Sequence, residues 1–231
     1  MENSTLHKNY EKRKMKTVIL FDLDGTVIDS TEAILDGFRV AFETFGGVVP
    51  SDELIKNEIG HTLENMFLTL GVEESKVDAH VHAYKMHYRI ISCEKTILLN
   101  GAREAIVEAS KFATLGVVTT KTGEYSTILL EQMGLMKYFR VLIGREHVEN
   151  PKPHAEPILK ALMKLEHDKN KTWMIGDTCM DIDSAKNAGV NSIAVTSGYA
   201  THSTLENCSS IICSNTLEAI DYIKKSDENY K

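Results

Sequence analysis

Thr17-Val-Ile-Leu-Phe-Asp-Leu-Asp-Gly-Thr-Val27 sets a short apolar run directly against two acidic residues and a glycine. Residues 17–21 are continuously apolar or β-branched, the pattern of a parallel strand covered on both faces. Asp22 and Asp24 stand where that strand ends. In open α/β sheets, ligands bind outside the carboxyl ends of strands, so both carboxylates fall where a site is expected. Neighbouring carboxylates repel, and they persist cheaply only beside a cation or with a shared proton. Gly25 permits a sharp turn after them. Asp-Gly is also an ordinary turn signal, so this stretch alone leaves a plain turn open.

Similar runs recur at residues 115–119 (LGVVT), 139–143 (FRVLI), 172–175 (TWMI) and 192–195 (SIAV), with a weaker one at 210–213. Helical patterns over 102–112, 124–133, 155–165, 181–188 and 217–223 separate them. Strand and helix alternating at this spacing predict an α/β fold, a doubly wound parallel sheet. Residues 31–96 break the alternation. Ile34, Phe38, Ala41, Phe42 and Phe45 recur at helical spacing, as do Leu63, Met66, Phe67 and Leu70, then Val77, Val81, Tyr84, Tyr88 and Ile91. The expected organisation is a core of residues 16–30 and 97–231 with a helical insert over 31–96.

Composition narrows the classes of function. The 231 residues are 42 % hydrophobic and 26 % charged, an ordinary globular balance, and carry a formal charge of −7. Five basic residues against two acidic ones lie within residues 1–16, and residues 1–15 are expected to be a disordered basic arm without a functional role. No apolar stretch reaches spanning length, so no membrane partner is expected. The acidic remainder disfavours nucleic acid, which needs clustered Lys and Arg. Cys93, Cys179, Cys208 and Cys213 form no CxxC pair, which argues against a zinc site or a disulfide framework and favours a reduced, cytoplasmic setting.

Three further segments follow strand patterns. Thr119-Thr120-Lys121 offers hydroxyls and backbone N–H groups, Asn150-Pro151-Lys152-Pro153 holds a cation in a rigid loop, and Gly176-Asp177-Thr178-Cys179-Met180-Asp181 opens a helix. Singly, Thr119 reads as a strand residue, Lys152 as a solvated charge and Asp177 as a helix N-cap. Together, in this order at the strand ends of one sheet, they converge on one site.

These four segments resemble the motifs of the haloacid dehalogenase superfamily, in its phosphatase branch with a helical cap. Asp22-x-Asp24-Gly25-Thr26-Val27 is similar to the first motif, Thr119 to the second, Lys152 to the third, and Gly176-Asp177 to Asp181 to the fourth. The strings at 24–30 (DGTVIDS), 117–121 (VVTTK), 150–157 (NPKPHAEP) and 185–189 (AKNAG) look most like phosphoglycolate phosphatases. The resemblance implies that Asp22 attacks phosphorus and forms an aspartyl-phosphate, and that Asp24 is the general acid and base. It implies Mg²⁺ held by Asp22, Asp177 and the Asp24 backbone carbonyl, with Asp181 acting through water. Thr119, Thr120 and Lys152 would hold the phosphoryl oxygens. An acid–base Asp at position 24 favours phosphate esters over carbon–halogen or carbon–phosphorus bonds.

Within the cap, Gly60-His61-Thr62 resembles the family's specificity loop, which would set His61 and Thr62 against the substrate. Gly60 ending one helix and Thr62 capping the next is the other reading. The expected activity is hydrolysis of a small phosphorylated metabolite, 2-phosphoglycolate first, by a monomer or weak homodimer. A pyrophosphatase or nucleotidase is the alternative and a sugar-phosphate mutase a third. A phospho-accepting signalling module is the rival from another class; the first-strand DxDGT string and the insert count against it.

Overall fold

In the computed structural model, which describes residues 16–229, Thr17–Phe21 form strand β1, with Val18, Ile19, Leu20 and Phe21 sealed from solvent. The basic arm expected at 1–15 lies outside the described residues. After β1 the chain turns into a two-residue strand, β2 (Ile28–Asp29), and enters the insert. Helices α1 (Thr31–Thr44), α2 (Asp52–Asn57), α3 (Leu63–Thr69) and α4 (Glu74–Ile91) follow, and β3 (Ile97–Leu98) leads back. The alternation then resumes with α5 (Ala102–Phe112), β4 (Ala113–Val118), α6 (Gly123–Gln132), β5 (Phe139–Ile143) and α7 (Glu156–Leu162). It ends with β6 (Thr172–Gly176), α8 (Cys179–Ala188), β7 (Asn191–Val195), α9 (His202–Leu205), β8 (Ile212–Cys213) and α10 (Thr216–Asn229).

The main sheet has six strands in the order β5-β4-β1-β6-β7-β8, and every pairing is parallel. The chain builds one half outward from β1 through β4 and β5, then crosses to build the other through β6, β7 and β8. The strand order therefore reverses beside β1, and the carboxyl end of β1 opens at the switch point where such sheets bind ligands. Phe21 is level with Val117 on β4 and Ile175 on β6. The residues just past these, Asp22, Thr119 and Asp177, are thus delivered to one edge. Helices on both faces bury the strands, as the unbroken apolar runs require.

Residues 31–96 pack around their own aromatic core. Phe38 and Phe67 lie 4.6 Å apart between ring centroids, and Tyr84 meets Phe38 at 5.1 Å. His80 is buried among Phe42, Phe45 and Phe67, and its Nδ1 lies 2.8 Å from the Lys76 carbonyl, so it belongs to the packing. Strands β2 and β3 pair antiparallel at the two ends of the insert. Two-residue strands leave no periodicity in a sequence, so residue pattern alone does not reveal this ribbon.

The cysteine expectation is corrected. Cys179 at the start of α8 and Cys208 just after α9 form a disulfide, 29 residues apart in sequence. Ile182 of α8 and Leu205 of α9 pack together with Ala194 of β7, and the two cysteine Cα atoms lie 5.7 Å apart, within normal bridging range. That proximity is tertiary, so CxxC spacing could not reveal it. Cys93 and Cys213 are free, and among the described residues no helix is long and apolar enough to cross a membrane.

Leu129 of α6 is fully buried in the cluster that covers one face of the sheet. Leu129→Ala is expected to cost about 2–5 kcal/mol, lowering the denaturant midpoint at unchanged slope. A shift of less than about 1 kcal/mol would mean that this face is not the close-packed core described.

Candidate active site

Asp22 leaves β1 with its backbone N–H donating to the Ile175 carbonyl at 2.9 Å, which fixes it beside β6. Its Oδ1 accepts from Lys152 Nζ at 2.7 Å. The same ammonium donates to Asp181 Oδ1 and, at 3.2 Å, to the Val118 carbonyl, so all three of its protons are used. Asp181 Oδ2 accepts from the Thr178 backbone at 3.1 Å and its hydroxyl at 2.8 Å, closing a capping box on α8. Asp177 accepts from Thr26 Oγ1 at 3.2 Å and from the Tyr199 backbone N–H at 2.8 Å.

Space around Asp177 is made by glycines. Gly25 has φ +80°, and a Cβ there would stand 2.4 Å from Asp177 Oδ2. At Gly198 it would stand 2.0 Å from the same oxygen. Asp22, Asp177 and Asp181 each offer an oxygen within 4.8 Å of the others, and all three are buried.

Three carboxylates against one ammonium leave two negative charges in excess. Burial pushes the Asp22 carboxyl up to about 7, opposed by Lys152 and helped by Asp181. Asp177 is driven well above the carboxylate range by burial, then by Asp22 and Asp181. Burial alone would lower Lys152, yet the charges of Asp181 and Asp22 hold it above the ordinary lysine value. Three hard oxygen donors, an uncompensated double charge and no nitrogen or sulfur ligand fit a divalent cation such as Mg²⁺.

Asp24 stands outside this cluster. Its Oδ1 accepts from Ser30 Oγ, and its Oδ2 lies 3.0 Å from Lys121 Nζ. The Thr119 hydroxyl accepts from the Lys121 backbone N–H at 3.2 Å, and its own N–H donates to the Ile143 carbonyl at 2.9 Å. Thr120 Oγ1 donates to the Gly60 carbonyl at 3.0 Å, joining the core to the insert. The two parts also meet where Tyr199 Oη lies 3.0 Å from Thr31 Oγ1 and where Arg145 approaches Glu64 at 3.9 Å.

A cavity opens between them, bounded by Asp24, Thr120 and Lys121 below and by Ile34, Ile59 and Tyr88 above. Exposed His61 stands on its rim. Thr62 is buried, and its hydroxyl caps α3 by accepting from the Asn65 N–H at 3.4 Å. In this structure that oxygen serves the helix end, the second of the two readings open to Thr62. Asp183, half-buried, takes no part in the carboxylate cluster.

The structure thus brings Asp22, Asp24, Thr119, Thr120, Lys152, Asp177 and Asp181 to one edge of the sheet. Sequence reasoning places Tyr88 only in the apolar pattern of the insert and gives no role to Lys121, Ser30, Gly198 or Tyr199. Lys121 and Ser30 lie within motif strings, a usable signal. Nothing local marks Gly198 or Tyr199.

Two outcomes follow from this geometry. The folded, metal-free protein retains protons on Asp22 and Asp177 that the unfolded chain releases near the ordinary 3.8. Raising the pH from about 5 to about 8 should then lower the melting temperature, because the unfolded state binds fewer protons across that interval. Mg²⁺ competes for the same oxygens, so the rise in melting temperature it produces should grow over that pH range. An equal rise at both pH values would contradict the cluster as the binding site. Separately, Thr62→Ala should cost about 0.5–2 kcal/mol by denaturation, the value of a helix cap. No measurable cost would remove the capping role.

The sequence profile described as haloacid dehalogenase-like hydrolase matches residues 19–195. Probable phosphatase IndB of Dickeya dadantii is 35 % identical over 194 residues, covering 81 % of this chain and 84 % of that protein. Pyrophosphatase PpaX of Halalkalibacterium halodurans is 32 % identical over 214 residues, 92 % and 90 % of the two chains. Among solved structures, a haloacid dehalogenase-like family hydrolase from Streptococcus pneumoniae superposes with a TM-score of 0.81 at 27 % identity, covering 90 % of this chain and 98 % of that one. With a parallel sheet that ends in this carboxylate cluster, the chain belongs to the haloacid dehalogenase-like hydrolase family.

Proposed function

We propose that the protein is a Mg²⁺-dependent phosphatase that hydrolyses a small organic phosphate monoester, foremost 2-phosphoglycolate, through an aspartyl-phosphate on Asp22. The observation that carries this reading is the separation of the two first-motif carboxylates. Asp22 is fixed by Lys152 inside the acidic cluster, whereas Asp24 faces the cavity outside it.

Asp22 supplies the nucleophilic oxygen, and its bond to phosphorus forms as the ester oxygen departs. Asp24 gives that oxygen a proton and then takes one from the water that hydrolyses the aspartyl ester, which returns Asp22 and releases phosphate. The Thr119 hydroxyl and the adjoining backbone N–H groups with Thr120 hold the phosphoryl oxygens, and Lys152 joins them by exchanging one of its present acceptors for a phosphoryl oxygen. Asp22, Asp177 and the Asp24 carbonyl would hold Mg²⁺ with Asp181 behind them, and the ion would neutralise charge on the transferring group.

The apolar part of the cavity wall, Ile34, Ile59, Leu63 and Met66, lies in the same cavity as Asp24 and suits a small organic leaving group. A phosphate leaving group would also fit, and relatives named pyrophosphatase keep pyrophosphate as the second reading. The deciding measurement is kcat/KM with Mg²⁺ across 2-phosphoglycolate, pyrophosphate, nucleoside monophosphates and hexose phosphates. 2-Phosphoglycolate is expected to lead; pyrophosphate leading would replace the substrate assignment.

Asp22→Asn should abolish turnover, and Asp24→Asn should lower it by about 10²–10⁴ per assisted proton transfer. Near wild-type activity of the Asp22 variant with saturating Mg²⁺ would refute its role. Chelation should stop the reaction and Ca²⁺ should restore it poorly, because Ca²⁺ takes more ligands at longer distances. Full activity in excess chelator would refute the metal dependence.

A further inference from the structure

Lys121 and Tyr88 share a corner of the cavity that the steps above leave unused. Lys121 comes from the core, in the loop between β4 and α6, and its side chain is only 9 % exposed. Tyr88 comes from α4 of the insert and is 1 % exposed. The Lys121 ammonium lies over the Tyr88 ring, 4.7 Å from its centroid, while contacting Asp24 Oδ2 at 3.0 Å. The Tyr88 hydroxyl is fully buried and finds no partner in hydrogen-bonding geometry. A buried hydroxyl without a partner is costly, and each such group in a folded protein calls for an explanation. Both residues line the cavity.

We infer that Lys121 and Tyr88 form an anion site for the leaving group, which selects phosphate monoesters of short hydroxy acids by binding their carboxylate. This rests on the phosphatase reading above and assigns its specificity. The donors are of the right kind: an ammonium and a buried hydroxyl beside it that makes no hydrogen bond in regular geometry, on two residues that line one cavity. Ile34, Ile59, Leu63 and Met66 form an apolar part of the same wall and suit a methylene carbon, while Glu64, Lys85 and Arg145 bring charge to other parts of it. The placement beside Asp24 sets the length of the ligand. Asp24 serves the ester oxygen, so a cation in contact with Asp24 can reach an acid group only one or two carbons further on. An incoming carboxylate also replaces Asp24 as the partner of Lys121, exchanging one ion pair for another inside a desolvated site. The site is complete only when insert and core are together, since each contributes one donor.

Binding can be read without turnover. In the presence of Mg²⁺, calorimetry would compare 3-phosphonopropionate, the non-hydrolysable isostere of 2-phosphoglycolate, with propylphosphonate, which lacks only the carboxylate. The wild-type protein should prefer the carboxylated ligand at least about tenfold. Tyr88→Phe and Lys121→Met should each reduce that preference by about tenfold, and Lys121→Arg should retain most of it. Tyr88→Phe deletes one unpartnered hydroxyl, so it keeps the test open if Lys121→Met does not fold. Equal affinity of the wild-type protein for the two phosphonates would overturn the inference, as would an unchanged preference in Tyr88→Phe. Turnover of 2-phosphoglycolate and p-nitrophenyl phosphate, measured in parallel, separates the two levels. Hydrolysis without a binding preference leaves the phosphatase and removes the anion site; a preference without hydrolysis does the reverse.

Discussion

Excess negative charge at the end of β1 is the constraint to which the rest of the molecule conforms. Buried carboxylates on adjacent strand ends repel one another in a medium that screens poorly. Lys152 offsets part of this, and it does so by spending all three of its protons on Asp22, Asp181 and the Val118 carbonyl. Both Asp177 oxygens and Asp181 Oδ2 are held by backbone and hydroxyl donors from Thr26, Thr178 and Tyr199. Those donors come from separate loops, so the site acts as a clasp for the carboxyl edge of the sheet. What is left uncompensated amounts to the charge of one divalent ion. The fold therefore stores a demand that protons on Asp22 and Asp177 meet at low pH and a divalent cation meets once they leave.

A second charge pair, Lys121 with Asp24, is neutral by itself and is kept apart from the first. This separation matters chemically. A single merged network would tie the proton-handling carboxylate to the metal ligands, and its orientation would follow theirs. Instead Asp24 is oriented by Ser30, at the threshold of the insert, and by Lys121, which also rests on an aromatic ring of the insert. The position of the insert is thereby felt at the acid–base group, through contiguous contacts, while the nucleophile is held by the core alone.

Much of the fold was legible because parallel strands buried on both faces must be apolar without interruption, and five such runs stood out in the sequence. Element ends moved by one or two residues at β4, by three at the end of α7 and by six at the end of α10, where the helical period alone sets no stop. The β2–β3 ribbon was not legible: two residues carry no period, and their partners are remote in sequence. Nor was the Cys179–Cys208 bridge, for the same reason of distance. At the site, residues within motifs could be named in advance because their spacing is local. Tyr88, Tyr199 and Gly198 act through position in space. Thr62 shows the limit from the other side, since one hydroxyl can cap a helix or meet a ligand and the sequence reads alike for both.

The ribbon has a consequence for how such a molecule can change. Asp29 and Ile97 are cross-strand partners, so the chain leaves the core and returns to it within about one strand spacing, 4.8 Å. From the side of the core, the whole insert is equivalent to the loop of a hairpin. A loop's ends fix its compatibility, and added length between them costs little conformational entropy. The β2–β3 pair is thus a socket: it accepts any module whose two ends emerge side by side, and the nucleophile, Lys152 and the acidic cluster need not shift to receive it. The insert's share of recognition can then diverge along one chain through residues 31–96, while Lys121 and Asp24 remain the core's fixed edge against it.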